Sequence, residues 1–423
     1  GDMRGEFKFG GLFRDKTKMR DPDIEIHGYE GNIGFSDVRG GFEDEEYLFD
    51  EYEIGVFPDP DEVHQIFENN PNDFVLDEES SIEDSKAEEY EAGETTTAGY
   101  AMTKLVREKL SRIIGARFEN ITTEYFGHTV EFDANGDLLP VRDLEEDNQF
   151  DFLLPMIHLN YRPTQITNLR FAWTNTFAKP NYFDLAPYRI IVREDEEIEL
   201  GNPDLDATTA MNFDLMGEYY LSSVGLLSAG VFYKDITDFI YISNFNYDDP
   251  ADLYDGYEAT QPVNGDAAQV AGIELNIQQQ LTFLPGWLSG LGVYANYTYT
   301  WSEAEIQVEE GITRTVTLPG QAENVGNLAL SYEKFGISAR ISAHYSGAFI
   351  DELRATTGED RYYDERLQLD FSGSYRLTPN LRVFLEALNL TNAPLRYYNG
   401  ITSRPEQREF YSSWARLGLK YNF

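Results

Sequence analysis

The chain of 423 residues contains no cysteine, which excludes disulfide bonds and thiolate metal ligands. Positive charge is also scarce, because 33 basic residues stand against 75 acidic ones, for a net charge of −42. A surface of that charge repels nucleic acid, so we exclude nucleic acid as a partner. No apolar run approaches the roughly 18 residues of a transmembrane helix. A helical membrane span is therefore excluded as well.

The motifs of common enzyme classes are missing too. The sequence has no G-x-S-x-G turn, no H-E-x-x-H helix, no P-loop and no G-x-G-x-x-G pattern. The segment FDANGD (132–137) partly matches a calcium-binding loop, but its Asn-Gly pair favours a tight turn. We therefore predict no catalytic residue, no cofactor and no metal site, in a protein that is not an enzyme.

What the sequence has in abundance is alternation of polar and apolar residues. In FGISARISAHY (335–345) the odd positions are apolar or aromatic and the even ones are mostly polar. This period of two is typical of β-strands with two different faces. It predicts about fourteen strands and almost no helix. The predicted strands are 5–14, 96–106, 109–122, 150–161, 165–177, 207–221, 225–241, 267–281, 291–301, 322–333, 335–345, 367–375, 380–391 and 411–423.

The length and the connections of these strands favour a membrane barrel over a soluble sandwich. Strands of soluble proteins usually have about 5 to 6 residues, whereas about 10 tilted residues cross a bilayer. The connections alternate between short ones, such as 161–165 and 333–336, and long ones, such as 15–95 and 178–206. We predict an all-β fold, a transmembrane antiparallel up-and-down β-barrel with short periplasmic turns and long extracellular loops.

In such a barrel the apolar stripe faces lipid and the polar stripe faces the lumen. Charged residues recur on the polar stripe, and five of them are candidates for contact with a ligand or a plug inside the lumen. The five are Arg170, Asp214, Glu218, Arg340 and His344. The alternative is that these side chains only hydrate the lumen wall.

Acidic residues are concentrated in 43–94, which holds 21 Asp and Glu and one basic residue, Lys86. Aromatic residues are interleaved there, and Tyr47, Phe49 and Tyr52 are candidates for stacking on a sugar or a metal chelate. Two other interpretations stay open. The aromatic residues can pack the loop over the barrel mouth, and the carboxylates can form a solvated or cation-rich surface.

Several stretches together resemble one family. They are YEAGETTTAGYAMTKL (90–105), ELGNPDLDATTAMNFDLMGEYY (199–220), GVFYKDITDFIY (230–241), AAQVAGIELNIQ (267–278), FLEALNLTNAP (384–394) and the closing WARLGLKYNF. Their ordered set resembles the C-terminal part of the barrel of TonB-dependent receptors. The terminal Phe423 resembles the signal that the barrel assembly machinery of the bacterial outer membrane reads.

This resemblance implies a function. Such receptors capture a scarce nutrient at their extracellular loops, and energy transmitted by TonB displaces a plug so that the nutrient reaches the periplasm. The substrate could be a siderophore, cobalamin or an oligosaccharide. The family barrel has 22 strands and an N-terminal plug, neither of which the sequence shows. We therefore expect residues 1–423 to be one barrel domain, the C-terminal segment of a larger receptor in the outer-membrane lipid of a Gram-negative bacterium.

Two rival interpretations remain open. A complete 14-stranded passive channel would require the strand at 5–14 to pair with the strand at 411–423 and close the barrel. A secreted or surface β-sandwich, acting as an adhesin or a sugar-binding protein, would be soluble without detergent.

Overall fold

The computed structural model describes residues 3–41, 44–46, 52–222, 225–248, 253–309, 312–354 and 356–423. Antiparallel strands dominate this part of the chain. The strands are β1 (Met3–Arg20), β2 (Ile26–Tyr29), β3 (Asp44–Glu46), β4 (Tyr52–Ile54), β5 (Phe74–Asp77), β6 (Tyr90–Arg107), β7 (Leu110–Phe132), β8 (Arg142–Thr164), β9 (Thr167–Ala178), β10 (Arg189–Val192), β11 (Glu197–Leu200), β12 (Thr208–Ser222), β13 (Gly225–Asn246), β14 (Glu258–Gln280), β15 (Leu291–Glu309), β16 (Ile312–Val316), β17 (Asn324–Lys334), β18 (Ile337–Ser346), β19 (Phe349–Glu352), β20 (Arg361–Tyr363), β21 (Arg366–Arg376), β22 (Leu381–Leu388), β23 (Leu395–Asn399), β24 (Pro405–Glu409) and β25 (Trp414–Tyr421).

In this described part of the chain, helices are few and short. They are α1 (Pro60–Asn69), α2 (Glu78–Lys86) and α3 (Tyr182–Leu185), with 3₁₀ turns at Phe35–Asp37, Pro71–Asp73 and Gly286–Gly290. The sequence analysis did not predict α1 and α2, which lie in the acidic segment. A start signal for α1 is present, because Asp59 caps it by accepting hydrogen bonds from the backbone N–H groups of Asp61 and Glu62. No helix in the described ranges is long and apolar enough to cross a membrane.

The main sheet contains three short strands, β10, β11 and β16, and fourteen long ones, which confirm all fourteen predicted strands. Each long strand is antiparallel to the long strand beside it, in the order β1, β6, β7, β8, β9, β12, β13, β14, β15, β17, β18, β21, β22 and β25. Neighbours in this order are also neighbours along the chain among the long strands. The sheet is therefore a meander, as the predicted up-and-down barrel requires.

The pairing registers give the sheet two distinct faces. Ile341 of β18 pairs with Leu330 and Phe371, and all three belong to what we call the apolar face. The next residue back, Arg340, pairs with Ser331 on the opposite side, which we call the polar face. Successive side chains of a strand point to opposite faces, so the alternation in the sequence becomes a two-faced sheet.

Many strands are longer than predicted. The prediction ended β15 at 301, but the strand continues to Glu309, and β7 continues from 122 to Phe132. On β15 the exposed apolar row ends at Trp301, and exposed Glu303 and Glu305 follow on the same face. The apolar residues of β15 therefore change to the other face beyond Trp301, while the backbone hydrogen bonding continues.

The two edges of the main sheet are β1 and β25. All 18 residues of β1 are registered against β6, and all eight residues of β25 are registered against β22. Within the described ranges, no register joins β1 to β25. The closed ring that a complete 14-stranded channel requires is therefore not formed.

The hydrophobic core lies where the long connections pack on the strand ends. One cluster contains α3 and the strand ends around it, with Ile121, Tyr125, Phe150, Leu185 and Leu205 among its buried members. Two smaller clusters cover the ends of β13 to β16 and of β10, β11 and β14. The connections after β18 and β22 add a small sheet of β19, β20, β23 and β24. The long connections are thus folded structures.

Candidate functional site

A row of hydrogen-bonded polar side chains crosses the polar face. Asn296 of β15 lies opposite Asn327 of β17, which lies opposite His344 of β18. The Nδ1 atom of His344 is 2.8 Å from Oδ1 of Asn327, whose amide donates to Oδ1 of Asn296 at 2.9 Å. Asn296 in turn donates to the hydroxyl of Tyr294 at 2.7 Å. These hydrogen bonds orient the side chains of Tyr294, Asn296, Asn327 and His344 toward one space.

This space is a cavity of about 380 Å³ that also borders Arg340 and Asp370. The guanidinium of Arg340 lies 5.6 Å from the centre of the Tyr294 ring, within the range of a cation–π contact. Asp370 accepts hydrogen bonds from Gln368 at 3.0 Å and from the backbone of Asn389 at 2.8 Å. The cavity therefore offers a cation, a carboxylate, an imidazole and amides to a polar ligand.

A larger cavity of about 540 Å³ adjoins the first, and both share Tyr294 and Arg340. Its lining extends from Gln278 on β14 to Lys420 on β25. Seven strands in a flat sheet would span about 29 Å, at about 4.8 Å per step. Side chains from β14 and β25, the first and last of these seven strands, border one cavity. The sheet is therefore curved, with its polar face on the concave side.

The other predicted site residues form a separate group on β9 and β12. Arg170 donates to Oε2 of Glu218 at 3.1 Å. The same carboxylate accepts from Asn168 at 3.0 Å and from Tyr220 at 3.0 Å, and Glu218 is buried. A carboxylate with three donors is satisfied within the protein, which is typical of a structural role. Asp214 lies on the polar face of β12, opposite Ala172.

The structure therefore separates the five predicted lumen residues. Arg340 and His344 of β18 border one cavity. Arg170 and Glu218 pair with each other on the adjacent strands β9 and β12, and four strands separate β12 from β18. Tyr47 and Phe49 lie outside the described residues, as does the side chain of Tyr52 in β4. Their predicted role in binding remains a prediction.

Sequence reasoning missed the neutral residues of the cavity. Tyr294, Asn296 and Asn327 lie on the polar face together with Arg340. Their place on this face could be inferred from the alternation in the sequence. What the sequence did not supply is the register, which decides which residues of β15, β17 and β18 lie at the same height. The candidates were also chosen among charged residues, so the amides of Asn296 and Asn327 were not among them.

The segment FDANGD forms the tight turn that its Asn-Gly pair indicates. Oδ1 of Asp133 accepts hydrogen bonds from the backbone N–H of Asn135 at 2.7 Å and of Asp137 at 3.2 Å. These bonds hold the pKa of the Asp133 carboxyl below its usual range. Gly136 adopts a φ of +83°, which glycine tolerates without strain. Over the ranges that the structure describes, no group of three or more acidic or histidine side chains is arranged to hold a metal ion.

A curved antiparallel meander with a polar concave face and an apolar convex face is the wall of a β-barrel. The family model "TonB dependent receptor-like, beta-barrel" matches residues 29–390. The chain belongs to this family, and the resemblance seen in the sequence is confirmed.

Solved structures share this fold. The ferric-catecholate import receptor Fiu from E. coli K12 is 18% identical with a TM-score of 0.57, over 80% of this chain and 46% of that one. The siderophore receptor PiuA from Acinetobacter baumannii is 15% identical with a TM-score of 0.54, over 78% and 44%. The copper transporter OprC is 14% identical with a TM-score of 0.54, over 79% and 54%. The chain thus spans about half the length of these structures.

Proposed function

We propose that the chain forms part of the barrel wall of an outer-membrane transporter, which binds a scarce nutrient at its long connections and passes it to the periplasm. The observation that carries this proposal is the two-faced sheet, whose concave side holds two adjoining polar cavities. Family membership supports the same conclusion. On this proposal residues 1–423 act as one barrel domain with a long acidic connection between β1 and β6.

The dimensions of the apolar face support insertion in a bilayer. On β15 this face extends from Leu291 to Trp301, followed by exposed Glu303. Ten residue steps of about 3.3 Å, tilted by about 45°, cover about 23 Å. That height agrees with the apolar band of roughly 25 Å in outer-membrane barrels. The aromatic residues at its upper limit, Tyr297, Tyr299 and Trp301, would lie at the interface.

The nature of the nutrient is the second part of the proposal. Fiu imports ferric catecholates, PiuA is a siderophore receptor and OprC transports copper. These relatives support a metal chelate as the first substrate to test, ahead of cobalamin or an oligosaccharide. Energy would come from TonB acting through a plug, and Phe423, which is fully exposed, would be read by the barrel assembly machinery.

Uptake of labelled iron tests this proposal. Cells with and without the gene would receive ferric complexes of a catecholate and of citrate, in strains with and without TonB. We expect saturable uptake that requires both the gene and TonB. Uptake that is linear in concentration and independent of TonB would instead identify a passive channel. Recovery of the protein in the soluble fraction without detergent would favour the β-sandwich.

A further inference from the structure

The polar face of β1 is strongly basic in a chain that is otherwise acidic. Its side chains occupy the even positions from 4 to 20, and six of these nine residues are basic while one is acidic. The basic residues are Arg4, Lys8, Arg14, Lys16, Lys18 and Arg20. Register places this row on the same face as the cavities, because Lys16 lies opposite Glu94 of β6, and Glu94 lies opposite Thr123 of β7.

Three ammonium groups converge on one aromatic ring in the middle of this row. The Nζ atoms of Lys16, Lys18 and Lys179 lie 4.7, 5.4 and 5.4 Å from the centre of the Tyr182 ring. Lys16 also donates to the Tyr182 hydroxyl at 2.9 Å, and that hydroxyl donates to Glu94 at 2.8 Å. We call these five residues the lysine cluster. It joins β1, β6 and the connection that contains α3.

The positive charge of the cluster exceeds its negative charge. Glu94 is 3% exposed and contacts Lys179 directly, while Arg14 lies 3.9 Å from it. In the described part of the chain, the ion pairs of Arg14 and Lys179 both end on this one carboxylate. Glu94 thus supplies one negative charge to four cations. Cations held this close repel one another, and the repulsion would be relieved by a further anion.

Lys8 and Arg20, which lie on either side of the lysine cluster in the basic row, each have an acidic partner. Lys8 lies 3.1 Å from Glu6, and Arg20 contacts Glu88. Asp15, which follows Arg14 in sequence, lies on the other face and accepts a hydrogen bond from Thr95. From Lys8 to Arg20, the excess positive charge therefore lies in the lysine cluster and the adjacent Arg14.

We propose that the lysine cluster binds a small, multiply charged oxyanion, one that carries several carboxylate or phosphate groups or a chelate with negative oxygen ligands. Ammonium groups form short, charge-assisted hydrogen bonds to such oxygens. The proposal rests on the transporter function above and narrows its substrate to the anionic class, which excludes a neutral sugar. Tyr182 positions the ammonium groups, and Glu94 holds Tyr182 and Lys179 in place.

Binding to the purified protein in detergent tests this proposal. Titration calorimetry would use citrate and inorganic pyrophosphate as probes, with neutral maltotriose for comparison. We expect the two anions to bind saturably and the sugar not to bind. The double substitution Lys16→Gln and Lys18→Gln should weaken anion binding about tenfold or more, because it removes two charge-assisted contacts. Lys179 is left unchanged, since its loss would strand buried Glu94.

Lys8→Gln is the matched control, because Lys8 lies on the same face of the same strand and already has Glu6 as a partner. We expect it to bind both anions as the unsubstituted protein does. Equal binding by the double variant would overturn the proposal, and so would an equal loss in Lys8→Gln, which would indicate unspecific charge attraction. Circular dichroism of each variant would verify that the sheet is retained.

This test is separate from the uptake test. If anions bind to the lysine cluster but uptake does not depend on TonB, the transporter proposal fails and the anion site stands. If uptake depends on TonB but the purified protein binds neither anion, the anion site fails and the transporter proposal stands.

Discussion

Among single residues, Asp360 shows how a buried carboxylate holds a long connection in place. It is 1% exposed, and its two oxygens accept from the two terminal nitrogens of Arg314 at 2.8 and 2.9 Å. The backbone N–H of Arg354 donates to it as well, at 2.9 Å. Through these contacts β16 holds the connection that follows β19. A buried ion pair of this geometry depends strongly on both partners.

Asp360→Asn should therefore loosen this connection. The substitution leaves the guanidinium of Arg314 without its charge partner, and breaking a buried pair costs about 3–5 kcal/mol. We expect faster proteolysis between residues 353 and 364 in the folded protein. Glu359→Gln is the matched control, because Glu359 is exposed and accepts from Thr356 at the surface. An unchanged cleavage rate in Asp360→Asn would contradict this role.

Two of the arginines on the polar face, Arg340 and Arg170, should respond differently to the same substitution. Arg340 borders both cavities, so Arg340→Gln should lower uptake of the transported chelate about tenfold. Arg170 donates to Glu218, which keeps Asn168 and Tyr220 as donors, so Arg170→Gln should leave uptake nearly unchanged. Both variants would be compared by initial uptake rates at equal amounts of protein in the membrane. Similar losses in both would mean that the cavities are not the ligand path.

The face on which these residues lie was predictable from the sequence, but their grouping was not. The alternation predicts Arg170, Glu218, Arg340 and His344 on one face, where the structure has them. Which of them meet depends on how many strands lie between them, and that requires the pairing order. The lysine cluster was missed because the predicted first strand ended at 14, before Lys16 and Lys18.

At the scale of elements, polar contacts hold α2 against the segment around β2 and, just after the helix, against β7. The backbone N–H groups of Ile24 and Ile26 donate to Ser85 and Ser81 of α2, at 3.0 and 2.8 Å. Just after the helix, Glu89 accepts from Lys86 and lies 3.5 Å from Nε2 of His128 on β7. Burial raises the pKa of Glu89, but Lys86 and His128 outweigh it and bring the pKa below its ordinary value near 4.5.

Acidification should therefore release this contact. A lowered pKa in the folded state means that ionised Glu89 stabilises docking above pH 4.5, and that this contribution is lost as the pH falls through the lowered value. We expect amide hydrogen exchange in 78–89 to accelerate when the pH is brought from 6 to below 4, after correction for intrinsic rates. In Glu89→Gln this extra acceleration should be absent. The same pH dependence in both proteins would assign the effect to another group.

The existence of the long strands was predictable because alternation repeats in each of them. Their upper ends were not, since beyond Trp301 the apolar residues of β15 change face, with Ala304 and Ile306 buried, while the backbone ladder continues. The helices α1 and α2 lie in a segment whose acidic composition favoured a loop. In α1, the local cap of Asp59 and Pro60 outweighs that composition.

At the scale of the whole molecule, the assignment of the two faces has a direct test. Ile341 and Ser342 are adjacent on β18 and lie at nearly the same height on opposite faces. Ile341→Arg should destabilise the barrel in lipid vesicles by about 2–4 kcal/mol, because an arginine on the lipid face is costly near the midplane. Ser342→Arg should cost much less, because it enters the polar cavity. Urea titration of folding into vesicles would measure both, and equal costs would contradict the assignment.

The fold class could be inferred from the sequence because it depends on a repeated, local signal, and the family was inferred from the resemblance of several stretches. The path of the long connections could not, since their packing depends on contacts between distant residues. Glu131 illustrates this, because it accepts hydrogen bonds from Arg142, Arg193 and Tyr254, which come from three different segments. No periodicity in the sequence indicates such a meeting point.

The meander order has a consequence for how such a protein can change over evolutionary time. Each long strand pairs with the long strands next to it in the chain, so every hairpin is a self-contained unit. A residue inserted into one long connection leaves the registers between the long strands unchanged. The long connections can therefore change in sequence and length while the wall formed by the long strands is inherited unchanged.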